Sequence, residues 1–152
     1  MFRAGFVRRW HTNPDMCHTI DPDAYHAGRV ARLIIALHPS PSAILLAACL
    51  THDDGEIAVG DMCGEAKRKD PDLADRLELV ESSKRKEIWG IDHVACLTEN
   101  DKAWLKFADR LDGYMWAKFH SPHIMGGDGW PEARERLLSQ STALGCDITG
   151  AI

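Results

Sequence analysis

The sequence predicts an all-α protein, a helical bundle, and three observations carry that expectation. Apolar residues recur at intervals of three and four along most of the chain. Prolines and glycines stand where those stripes begin and end. No stretch of four to eight residues alternates apolar and polar side chains between turn signals, so no strand is expected.

The first helix opens at Pro22, after Asp21, and Pro39 stops it; its inward face is Val30, Leu33, Ile34 and Leu37. His26 lies one turn ahead of Val30, on or beside that face. A second helix starts at Pro41, runs through Ile44, Leu45, Ala48 and Cys49, and leads directly to His52. A third spans Pro71 to about Trp89, with Leu73, Leu77 and Val80 inside. Near its C-terminal end Lys84-Arg85-Lys86 reads as a solvated cluster favoured by the helix dipole. A fourth begins near Asn100 and continues to about Phe119, turning Trp104, Leu105, Ala108, Leu111 and Met115 inward. The last runs from Pro131 to Leu144, with Gly145 as its C-terminal cap. The Gly-rich stretch 121–130 reads as a connecting loop, since it lacks the lysine-bearing pattern of a phosphate-binding loop.

A chain of 152 residues without a mid-chain change of composition is expected to form one domain, 1–152. Its longest apolar runs, Leu33–Leu37 and Ala43–Leu50, fall far short of the ~20 residues that cross a bilayer. The N-terminal residues lack a secretory apolar core, so a cytoplasmic location is expected. Five widely spaced cysteines, with no Cys-x-x-Cys pair, argue against a disulfide framework and a zinc ribbon. Most of them are expected to be small buried side chains, Cys49 above all. A net charge of −5 disfavours bulk attraction to nucleic acid, so a polyanionic ligand must be held by local cations.

Chemistry concentrates in a few residues. His52 and Asp53 end an otherwise apolar helix, where they could grip one ion from two sides. Glu56 follows one turn later and faces the same region, Gly60 breaks the helix, and Asp61 lies on the exit. His26 on one helix and Asp109 on another could close the set from across the bundle. Asp109 interrupts an inward stripe, where an unpaired carboxylate would be costly. Imidazole with carboxylate suits Zn, Mn, Fe, Co or Ni. A lone histidine at such a place is more often a core residue than a ligand. His11, His18, His38, His93, His120 and His123 are read that way or as surface residues, and Trp104 and Trp116 are read as core.

The ordered set His26, His52-Asp53 and Asp109 resembles the signature of the HD-domain phosphohydrolases. The run His52-Asp53-Asp54-Gly55-Glu56-Ile57-Ala58-Val59-Gly60-Asp61 looks like that of the bacterial 5′-deoxynucleotidases and their relatives. Arg9-Trp10 matches the Arg-Trp pair that this branch carries before its first metal histidine. Tyr25 departs from the pattern, because the branch usually has Glu there. The short length and Arg9-Trp10-His11 resemble more closely the phage dATP triphosphohydrolases.

The resemblance implies an HD-type bundle with a divalent transition metal (Zn, Co or Mn) on His26, His52, Asp53 and Asp109. It implies that Glu56 orients or activates the attacking water and that Asp61 lies close to the sugar. It also implies that Arg9 and Trp10 pack the deoxyribose, with Lys67 and Lys106 near the phosphate. The expected reaction is hydrolysis of dATP to deoxyadenosine and triphosphate. The alternative is a 5′-deoxynucleotidase acting on deoxynucleoside monophosphates, and a non-catalytic nucleotide-binding module is a third reading. A homo-oligomer is the family habit.

Overall fold

The structure, a computed structural model, describes residues 2–62, 64–127 and 129–152. Among them are six α-helices and no β-strand: α1 (Asp23–Leu37), α2 (Ala43–Thr51), α3 (Gly64–Lys69), α4 (Pro71–Trp89), α5 (Glu99–His120) and α6 (Trp130–Leu144). Three short 3-10 turns lie between or before them, at Ala4–Phe6, Asp54–Ala58 and Pro122–Ile124. The all-α expectation therefore holds. No helix among the described residues is long and apolar enough to cross a membrane.

Local chemistry sets the helix ends. Pro22, in an extended conformation, precedes α1, and His38 turns extended ahead of Pro39, as a residue before proline must. The Ser42 hydroxyl accepts a hydrogen bond from the Leu45 amide at 3.1 Å and starts α2. Asp70 and Thr98 cap α4 and α5 in the same way, accepting from Leu73 and Asp101. Gly90 (φ 78°) and Gly145 (φ 72°) end α4 and α6 in the left-handed region, which glycine enters without a steric penalty.

The core lies where α1, α2, α5 and α6 meet. Val30 and Ile34 of α1 pack with Leu45, Ala48 and Cys49 of α2, and with Phe107, Ala108 and Leu111 of α5. Leu137 of α6 and Ile148 and Ile152 of the C-terminal tail close it. α4 packs instead against the 3-10 turn Asp54–Ala58. That approach is close enough that a Cβ on Gly55 would collide with the Glu81 backbone.

Several sequence expectations change. Val80 is exposed, because the buried stripe of α4 is Leu77, Glu81 and Arg85, three residues at four-residue spacing that exclude position 80. Met115 is likewise exposed, since the buried line of α5 continues through Asp112, Tyr114 and Ala117. Arg85 is not solvated: only 2% of it is exposed. It is held by Asp92 (3.0 and 3.1 Å) and Glu78 (2.6 Å), and it donates to the His52 carbonyl at 3.1 Å. Cys49 is buried, but Cys17 and Cys96, on irregular connections, are exposed, and Cys63 lies outside the described residues. Trp104 is core, while Trp116 is half-buried with the Arg29 guanidinium 4.3 Å above its ring.

Candidate metal centre

α1 and α2 run side by side and bring His26 and His52 together, with ring centroids 5.3 Å apart. His26, in the first turn of α1, is fully buried, and its Nδ1 is 2.7 Å from the Asp112 carboxylate of α5. His52, at the end of α2, has its Nδ1 3.0 Å from the Cys49 carbonyl. A carbonyl or carboxylate oxygen only accepts, so the neutral form of each ring carries its proton on Nδ1 and presents a lone pair on Nε2. Both Nε2 atoms are buried and make no hydrogen bond.

Carboxylates surround those two nitrogens. His26 Nε2 lies 3.2 Å from Asp109 Oδ1 and 3.4 Å from Asp53 Oδ2, and His52 Nε2 lies 3.3 Å from Asp53 Oδ1. His26, His52 and Asp109 each offer a ligand atom within 4.8 Å of the others. Two orphaned imidazole nitrogens facing carboxylate oxygens fit a divalent transition ion, and the described residues meet the donor chemistry such an ion needs. Burial opposes a charge on His26, yet Asp109 and Asp112 outweigh it and lift its pKa to about 9. The field that draws a proton to Nε2 draws a metal cation to the same lone pair.

The residues behind the ligands form a second layer of order. Asp112 holds His26, and Arg29 grips Asp112 with bonds of 2.7 and 2.9 Å while also binding Asp21 at 2.9 Å. Arg9 donates to Asp53 at 2.8 Å and lies 3.6 Å from Asp109. Against burial, the histidines and Arg9 keep Asp53 ionised, its pKa below the ordinary carboxylate value. Asp109 is lowered likewise, by His26 first and then by Arg9.

Sequence reasoning placed His26, His52, Asp53, Asp109, Glu56, Asp61, Arg9 and Trp10 at one site, and the fold gathers all of them. Glu56 is buried on the 3-10 turn after Asp53; burial first, then Asp53 and Asp61, push its pKa up to about 10. Asp61 follows Gly60 (φ 79°) and accepts from the Trp10 amide at 3.2 Å. Trp10 itself has a φ of 66°, a strained value for a side chain of its size, held by that bond and by its indole N–H to Asp21 at 3.4 Å. Lys67 of α3 reaches the rim but pairs with Glu81 at 3.3 Å. Lys106 is exposed on α5, one turn before Asp109, and borders neither cleft described next.

Two clefts open on the cluster and share Arg9, Trp10, Arg68, Trp130 and Arg136. One, of about 930 Å³, also reaches Asp61; the other, of about 680 Å³, also reaches Asp109 and Tyr114. The Trp10 and Trp130 rings stand 6.5 Å apart along this groove.

Asp21, Asp23, Arg29 and Asp112 escaped the sequence reading. A signal existed for part of it: Asp23, His26 and Arg29 recur every three residues on α1, so a charged line runs beside the apolar one. No family model, curated protein or solved structure matches the chain.

Proposed function

We propose that the chain is an HD-type, divalent-metal-dependent phosphohydrolase of deoxynucleotides, and that its reaction converts dATP to deoxyadenosine and triphosphate. The observation that carries this reading is the pair of buried Nε2 atoms, each fixed by an acceptor on Nδ1, grouped with Asp109 within 4.8 Å and flanked by Asp53 oxygens at 3.3 and 3.4 Å. A divalent ion (Zn, Co or Mn) held there supplies Lewis acidity, lowering the pKa of water and polarising a phosphoryl oxygen.

The chain's own residues account for the rest. Glu56 stands beside Asp53 as the group that orients the attacking water. Arg9, bound to Asp53 and close to Asp109, places a fixed cation where phosphoryl charge develops. Trp10, braced through its amide and its indole, packs the deoxyribose, and Asp61 fixes its backbone. Lys67, in the field of Glu56 and Asp53, adds positive charge toward the phosphates in this reading, whereas Lys106, outside both clefts, takes no part in it. Arg68 and Arg136, which line both clefts, favour a long phosphate chain over a monophosphate. A homo-oligomer, the habit of the family the sequence resembles, belongs to the same reading.

Product analysis of Co²⁺- or Mn²⁺-loaded protein, with dATP and dAMP supplied in parallel, tests the reaction. Deoxyadenosine and triphosphate from dATP, with dAMP spared, is the expected result. Phosphate from dAMP with dATP untouched would assign a 5′-deoxynucleotidase. Inertness toward both would leave a nucleotide-binding module.

A further inference from the structure

The proposed reaction leaves one aromatic side chain at the groove without a task, Trp130. It opens α6, where its amide donates to the Gly127 carbonyl at 3.1 Å and Pro131 follows at the head of the helix. The Tyr114 ring stands against its indole in a T-shaped contact, centroids 6.0 Å apart. Tyr114 is buried in the core, so the indole rests on a firm support. Yet Trp130 is not itself enclosed: it is only half-buried, and it lines both clefts. A large aromatic ring left open toward a cleft offers a flat apolar face to a ligand.

The order of groups along α5 decides which part of a ligand meets that face. Asp109, at the candidate metal centre, comes first. Gly113 follows one turn later, and a Cβ on it would lie 3.7 Å from the Trp10 ring. Tyr114 comes next, with Trp130 against it. A deoxynucleotide with its phosphorus end at Asp109 and its sugar on Trp10 leaves the base, joined directly to that sugar, for Trp130. The two indoles, 6.5 Å apart and inclined by 33°, are not stacked face on face, so each can meet its own half of a nucleoside.

We propose that Trp130 binds the base of the nucleotide by stacking it on the indole face, and that the site takes purines in preference to pyrimidines. This inference rests on the deoxynucleotide reading above. The two fused rings of a purine cover more of an indole than the single ring of a pyrimidine, so stacking alone separates the two classes. It does not tell adenine from guanine, because every base has a π face.

Calorimetric titration of Mn²⁺-loaded protein with deoxyadenosine, thymidine and inorganic phosphate gives the test, since none of the three carries the ester bond that the proposed reaction cleaves. Deoxyadenosine is expected to bind more tightly than thymidine. Trp130→Leu, which keeps an apolar side chain against Tyr114, is expected to weaken deoxyadenosine by at least about 5-fold, the lower end of what one base–aromatic stack contributes, and to erase its lead over thymidine. Phosphate binding should stay unchanged, and Trp130→Phe, with an aromatic face restored, should retain the lead. An unaltered deoxyadenosine affinity in Trp130→Leu, phosphate binding weakened in step with it, or loss of the lead in Trp130→Phe would overturn the role of Trp130 and leave the deoxynucleotide reading standing. No binding of deoxyadenosine or phosphate by the unaltered protein would overturn both.

Discussion

Asp112 accepts from His26 Nδ1 at 2.7 Å, and that one contact fixes both the tautomer and the direction of the ligand ring. Arg29 stops Asp112 from turning away, and it is itself clamped by Asp21 and laid over Trp116. Asp112→Asn keeps the volume but weakens the acceptor. The expected outcome is a loss of about 10- to 100-fold in metal affinity with the fold intact, measured by calorimetric titration. Unchanged affinity would show that His26 needs no such support. In the proposed reading Trp10 acts at the same scale, on the substrate side. Its φ of 66° is sustained by Asp61 and Asp21, so its ring is placed rather than free. Trp10→Ala is expected to narrow the preference for dATP over ATP, and kcat/KM for the two nucleotides measures it; an unaltered ratio would remove Trp10 from sugar recognition.

Helix α4 shows how an element distant from the ligands still sets their position. Its inward stripe, Leu77, Glu81 and Arg85, is mostly charged, and Arg85 ties the helix to the His52 carbonyl. Asp92 anchors Arg85: burial resists its charge, but Arg85 and Ser82 overcome that and hold its pKa below the ordinary carboxylate value. A depressed pKa in the folded state stabilises above the unfolded value of about 3.9, and the contribution vanishes as pH falls through the folded value. Thermal melts should therefore show Asp92→Asn less stable than the unaltered protein near neutral pH, with the gap closing in acid. A gap independent of pH would contradict the role given to Asp92. The same helix marks the limit of what was legible in the sequence. The ends of α4 follow from Asp70, Pro71 and Gly90, and its bounds were read correctly. Which side faced inward was not, because apolar spacing points to Val80 while a buried ion network on Arg85 governs the packing. His26, His52-Asp53, Glu56 and Asp109 were legible through order and spacing. Asp23 and Asp112 were not, because an acidic residue in a helix is ordinarily solvated and only the three-dimensional fold brings these two beside His26.

At the scale of the molecule, the apolar core of α1, α2, α5 and α6 is a scaffold that converges on a polar end. Val30, Ile34, Leu45, Cys49, Phe107 and Leu111 lock three helices together, and the functional candidates follow along or just beyond the same helices. His26 stands one turn before Val30, His52 one turn after Cys49, and Asp109 between Ala108 and Leu111. The N-terminal segment then lays Arg9 and Trp10 over the open side, with Trp130 of α6 forming the far wall of the groove. In the proposed reading, rigid helices would hold the ion while the less regular N-terminal segment would contact the substrate, a division that would keep the ion site fixed as nucleotide enters. The proposed hydrolysis depends on an ion bound at this centre. The direct measurement is dATP turnover by metal-stripped protein as Co²⁺ or Mn²⁺ is restored, run beside His52→Ala and Asp109→Ala. Turnover should be absent without metal, return as metal binds to the unaltered chain, and stay absent in both variants. Equal turnover by stripped and loaded protein, or full recovery in either variant, would contradict a metal-dependent hydrolase at this centre.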